Sequence, residues 1–150
     1  ATFVEMSIRE YLDLAVGDKA GDITQAVEAV GLGERIASLN EGYDAMISTT
    51  GWPLSVGELM ALKLAAAMLA QPRVLVLSPL FDLLPPERLD AALAALRESG
   101  TTVLQFTRRP EDLVRDRYLW VGQREQRFCG SSAEMIAVAR SEGGSDALPA

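Results

Sequence analysis

The chain has 150 residues, 49% hydrophobic and 23% charged, a balance that fits an ordinary globular protein and argues against wholesale disorder. Acidic residues outnumber basic ones 21 to 14, and a net charge of -7 repels phosphate backbones, so nucleic acid is not an expected partner. Histidine is absent and Cys129 is the single cysteine, which excludes Ser-His-Asp and Cys-His nucleophilic sites, histidine-ligated metals, internal disulfides and cysteine-based zinc sites.

Residues 1–7 read as an irregular or extended lead-in. Ser7 and Glu10 have capping-box spacing and open a short helix over residues 8–15. Residues 17–22 form a polar turn, Asp22 caps a second helix over 23–30, and Gly31 stops it. Another helical turn is expected over 33–39. Residues 40–42 are a loop signal, and 43–53 read as irregular, broken by Gly51 and Pro53.

The strongest helical pattern follows. Ser55 and Glu58 repeat the S-x-x-E capping box, residues 56–71 are mostly Ala, Leu and Met, and Pro72 ends the run. Lys63 is its only charge after Glu58, so this helix is expected to be buried nearly all round. Residues 74–77 form a continuous apolar run, the pattern of a strand covered on both faces. Pro86 opens a helix to about Glu98, with Leu89, Leu93 and Leu96 on one face and Gly100 as its stop. Residues 101–106 and 118–121 read as strands, with a short helix from Pro110 between them. A turn at Gly122, a fourth strand over 126–129 and a final helix over 131–140 complete the pattern. Residues 141–150 read as a frayed tail. Alternation of strand and helix predicts a parallel sheet with right-handed crossovers. The apolar stretches at 59–70 and 74–84 are too short to span a bilayer, and no signal peptide is visible. A first residue of Ala1 suggests a piece of something longer.

The string Leu54-Ser55-Val56-Gly57-Glu58 (LSVGE) resembles LSGGQ, the signature of ATP-binding cassette (ABC) ATPases. Its surroundings agree in order and spacing over about residues 1–140. Residues 7–15 resemble the segment that opens the helical subdomain of ABC exporters, and 41–49 the acidic loop before their signature. Residues 73–77 lie where the Walker B strand would be, 101–109 where the strand and switch histidine would be, and 118–122 resemble the strand that follows. A helix N-terminus offers free N–H groups and a positive dipole end, and small residues let a phosphate come close. In the resembled family this end reaches across a dimer to ATP on the partner's phosphate loop. Ser55 and Gly57 keep the two small positions; Val56 and Glu58 depart from them. Read from the residues alone, Ser55 and Glu58 equally make an ordinary capping box, with Glu58 bringing negative charge near any phosphate.

The departures bear on mechanism. No G-x-x-x-x-G-K-S/T occurs anywhere in the chain. The positions resembling the Walker B aspartate and catalytic glutamate read Ser78 and Pro79, and the switch-histidine position reads Arg108. Asp82 and Pro85 stand where the family's next loop has Ser and Asp. Leu59, Met60 and Ala61 replace usual polar positions and read as surface covered by protein instead of nucleotide. Arg108-Arg109 reads as a basic turn pairing with Glu111 or Asp112. Asp82, Glu87 and Asp90 read as a strand end and a polar helix face before a magnesium site. Trp52 and Trp120 read as packing anchors, and Cys129 as a small packing residue.

The expected fold is α/β: a helical signature subdomain (1–71), the C-terminal part of a RecA-like P-loop NTPase core with a mainly parallel sheet (72–140) and a flexible tail (141–150). The resemblance implies a degenerate nucleotide-binding domain fragment of an ABC transporter, without hydrolysis of its own. It implies pairing with another nucleotide-binding domain, homo- or heterodimeric, and coupling to transmembrane domains at the cytoplasmic face of the membrane. The isolated domain is expected to be soluble. ATP and magnesium would enter only through a partner. A structural or regulatory interaction domain that has lost nucleotide handling is the alternative; a stand-alone metal-assisted hydrolase using Asp82 and Glu87 is a third. The family's phosphate-loop strand lies between the strands matching 101–106 and 118–121. The sheet is therefore expected either to close directly across that gap or to borrow a strand, as in a strand-swapped dimer.

Overall fold

A computed structural model describes residues 5–18, 21–109, 114–121 and 125–143. The chain forms two compact units, residues 1–107 and 108–150.

The first unit opens with a two-residue strand, β1 (Met6–Ser7), which pairs antiparallel with β2 (Met46–Ile47), so that Met6 faces Ile47. This pairing was not expected from residues 43–53. The partners lie some forty positions apart, and each strand is too short to show alternation. Ser7 is at once the end of β1 and the N-cap of α1 (Ile8–Val16); both halves of the expected capping box with Glu10 are formed, at 2.7 and 3.1 Å. Asp22 caps α2 (Ile23–Ala29) through its bond from the Gln25 N–H, and α3 (Gly33–Ala37) follows.

The long helix α4 (Val56–Ala70) starts where the sequence places it. It ends one residue early, at Gln71, which takes the left-handed conformation (φ 45°) just before Pro72. Leu59, Met60, Ala61, Leu62, Leu64, Ala65, Ala66 and Leu69 are all buried, as the uniformly apolar sequence requires. They pack against α1, α2, the 3-10 turn Pro79–Leu83 and α5 (Pro86–Glu98). Leu59, Met60 and Ala61 are thus covered by protein, as expected, and the cover is the core of this same chain.

Strand β3 (Val74–Leu77) pairs in parallel with β4 (Thr102–Gln105) through the α5 crossover, with Val76 opposite Leu104. One face packs inward: Leu77 is 1% exposed, and Leu75 and Val103 lie against the core. The other face is bare, with Val74 57%, Val76 58%, Leu104 52% and Phe106 59% exposed. Among the described residues the apolar run is therefore covered on one face only. A run of valines and leucines records what the strand is suited to meet, and the second layer is absent among the described residues. Hydrogen bonds from the Thr102 N–H to the Arg73 carbonyl and from the Phe106 N–H to the Leu77 carbonyl frame the pair.

The second unit holds an antiparallel pair, β5 (Tyr118–Val121) and β6 (Gln126–Cys129), packed against α6 (Ser132–Gly143). Parallel pairing is confined to β3 and β4 among the described residues, since the other two sheets are antiparallel two-stranded pairs. In the first unit the neighbour of β4 is β3; in the second, the neighbour of β5 is β6. The expected turn at Gly122, the helix from Pro110 and the pairing with Glu111 or Asp112 lie outside the described residues. Helix α6 runs on to Gly143, past the expected start of the tail at Ser141. No helix among the described residues is long and apolar enough to cross a membrane.

Candidate functional site

The candidate site is the first turn of α4. Leu54 is buried and anchors the approach, and its N–H bonds the Gly51 carbonyl at 3.0 Å. Ser55 caps the helix: its Oγ accepts from the Glu58 N–H at 3.3 Å, and its own N–H donates to Glu58 Oε2 at 2.7 Å. The capping box and the resembled signature therefore share one turn. Val56 and Gly57 occupy the first two helical positions, whose N–H groups have no acceptor within a helix. Val56 is exposed and Gly57 half-buried, so this end of the helix faces outward.

Glu58 is held from two sides. Arg35, in α3, donates from Nε to Glu58 Oε1 at 3.0 Å, while Oε2 is taken by the Ser55 N–H. A second arm of the same guanidinium donates to the Pro53 carbonyl at 2.9 Å, and a third to Ser38 Oγ at 3.2 Å. Burial acts to raise the Glu58 carboxyl, but the bonds from Ser55 and the charge of Arg35 outweigh it and leave the group below its ordinary value. The negative charge of Glu58 is thus paired within the chain. Arg35 carried no sequence signal: it sits 23 residues from Glu58, in a five-residue helix.

The same turn meets the segment after β3. A Cβ added at Gly57 would lie 4.0 Å from the Leu83 carbonyl, and α4 packs on the Pro79–Leu83 turn. Ser78 is the exposed N-cap of that turn and Pro79 its first residue. Proline there stops β3 and starts the turn, and Phe81 N–H bonds the Ser78 carbonyl at 3.1 Å. One neutral hydroxyl and a proline supply no anionic ligand, so these two positions do not fit a divalent cation. Asp82 is engaged by Thr107, whose Oγ1 donates to Oδ1 at 3.0 Å. Among the described residues no three Asp, Glu or Cys side chains are grouped to hold a metal. Arg108 is exposed and is the first residue of the second unit.

Trp52 is 73% exposed and does not anchor packing, contrary to the sequence expectation. It ends a tight turn in which the Ser48 N–H bonds the Trp52 carbonyl at 2.9 Å, and this leaves the indole outside. Trp120 is half-buried on β5, and Cys129 is buried at the end of β6.

A helix N-terminus with unpaired leading N–H groups and small residues is chemically suited to an anion. No family model matches the chain. Its sequence relatives are ABC transporter ATP-binding proteins. The cyclolysin secretion/processing ATP-binding protein CyaB of Bordetella pertussis is 28% identical over 141 residues, covering 91% of this chain and 20% of that protein. The ABC-type transporter atr1 of Mycosarcoma maydis is 38% identical over 84 residues, 54% of this chain and 6% of that one. The ABC-type transporter kk1G of Curvularia clavata is 36% identical over 77 residues, 51% and 6% respectively. The fold matches a bacterial Atm1-family ABC exporter with ATP bound, with a TM-score of 0.72 at 20% identity, over 100% of this chain and 28% of the exporter chain. The resemblance read from the signature and its surroundings is therefore borne out, and the chain corresponds to a small part of the length of each of these proteins.

Proposed function

We propose that the chain is a degenerate nucleotide-binding segment of an ABC transporter that presents the α4 N-terminus to ATP held by a second nucleotide-binding domain. The observation that carries this reading is the first turn of α4. Ser55 and Val56 are exposed, the leading N–H groups of Val56 and Gly57 have no acceptor within the helix, and the nearby carboxylate is already paired. Residues 54–58 are the nucleotide-facing segment, acting in trans. Ser78, Pro79 and Arg108 are the degenerate Walker B and switch positions. Without a carboxylate at Ser78 or a base at Pro79, this chain activates no water itself. Magnesium and the phosphate loop come from the partner, and closure of the pair is relayed to transmembrane helices at the cytoplasmic face.

The test is titration of labelled ATP onto the chain alone and onto its mixture with an exporter nucleotide-binding domain whose phosphate loop is intact. Enhanced capture in the mixture is expected; no enhancement over the partner alone overturns the reading.

The bare apolar face of β3 and β4 supports a second reading, a structural or regulatory interaction domain, because valine, leucine and phenylalanine recruit protein and not nucleotide. That reading keeps partner binding in the same mixture while ATP capture stays at the partner's own level.

A further inference from the structure

We propose that Arg35 is a positioning residue for the α4 N-terminus, acting through Glu58 and the Pro53 carbonyl to make an acidic helix cap compatible with an approaching phosphate. The proposal rests on the phosphate-facing reading of residues 54–58 and adds the device that such a reading requires.

A glutamate at the third helical position helps the helix by bonding back to the cap, yet its charge stands where a phosphate would come. Both Glu58 oxygens are occupied, one by the Ser55 N–H at 2.7 Å and the other by Arg35 Nε at 3.0 Å. The pair is only partly exposed, 36% for Arg35 and 28% for Glu58, so water screens it incompletely. Arg35 also has a geometric role. Its fork reaches three places at once: Ser38 one turn on, the Pro53 carbonyl in the loop before α4, and Glu58 within α4. The loop from Pro53 to Ser55 cannot shift against α3 without breaking a bond to this one planar group. A lysine, a single point charge without a fork, can neutralise Glu58 but cannot span the three acceptors. Neutralisation and loop placement are therefore separable by substitution.

The experiment uses the full chain with Arg35→Gln, Arg35→Lys, Glu58→Gln and the Arg35→Gln/Glu58→Gln pair, each checked for folding by circular dichroism. Carbon-13 NMR of the Glu58 carboxyl reads the charge coupling, and labelled ATP with a phosphate-loop-bearing nucleotide-binding domain reads the consequence. Arg35→Gln is expected to move the Glu58 titration upward and to weaken ATP capture by about threefold, the scale of a partly exposed ion pair. Arg35→Lys keeps most of the titration shift and loses part of the capture. The double variant recovers capture relative to Arg35→Gln, because no charge is left to neutralise. A double variant as weak as Arg35→Gln makes Arg35 merely structural and overturns the proposal, as does an unmoved Glu58 titration. If the unsubstituted chain does not enhance ATP capture, the phosphate-facing reading fails by itself. The carboxyl titration, which needs no ATP, still decides whether Arg35 acts through Glu58.

Discussion

The Thr107 hydroxyl donates to the Asp82 carboxylate at 3.0 Å, tying the segment after β4 to the turn after β3. Ligands of open α/β sheets bind where the carboxyl ends of parallel strands meet, and this bond closes those two ends together. Truncating either partner in Asp82→Ala or Thr107→Val is expected to cost about 1 kcal/mol, with the double variant costing less than the sum. Urea denaturation of the four proteins measures the coupling; strict additivity would show that the bond contributes nothing.

The core of the first unit depends on α4. Leu62 is 0% exposed at its centre, so Leu62→Ala is expected to cost about 2–5 kcal/mol. Thermal unfolding checks this, and a drop of less than about 1 kcal/mol would contradict a close-packed helix.

Glu58 makes the molecule sensitive to acid. Its folded carboxyl is held below the ordinary value, so its contribution is complete above that value and is lost as pH falls through the folded one. Stability should decline on acidification, and Glu58→Gln should flatten part of that decline while lowering stability at neutral pH. Denaturant midpoints measured from neutral to acidic pH for the two proteins read the difference.

Gly51 precedes the candidate site with φ 98°, and a Cβ built there would collide with the Leu59 side chain. Gly51→Ala is expected to destabilise the chain by more than about 1 kcal/mol and to increase hydrogen exchange over residues 52–58. Unchanged exchange there would show that the loop tolerates an ordinary residue.

The bare face of the β3–β4 pair, two-stranded among the described residues, predicts association, by a borrowed strand or by a second layer. Phe106→Asp is expected to reduce any dimer seen by light scattering while leaving circular dichroism unchanged. A strictly monomeric chain at high concentration would remove the strand-swapped dimer from consideration.

Much was legible without coordinates, for local reasons. Capping boxes at Ser7 and Ser55 need only residues three apart, and α4 is recognisable because Ala, Leu and Met favour a helix that Pro72 then ends. That positions 78 and 79 are a serine and a proline, and that histidine is absent, are facts of sequence alone. Other features were out of reach because they join distant residues. The pairing of Met6 with Ile47, the bond from Thr107 to Asp82 and the placement of Arg35 against Glu58 leave no periodicity to read. Trp52 was misjudged because an aromatic side chain reports its affinity for burial and not which way a turn directs it. The same holds for β3: sequence determined that Val74 and Val76 are suited to a covered sheet, and the tertiary structure left that face open. Local chemistry chooses the elements and their caps. Only packing in three dimensions decides which charges meet and which apolar faces remain uncovered.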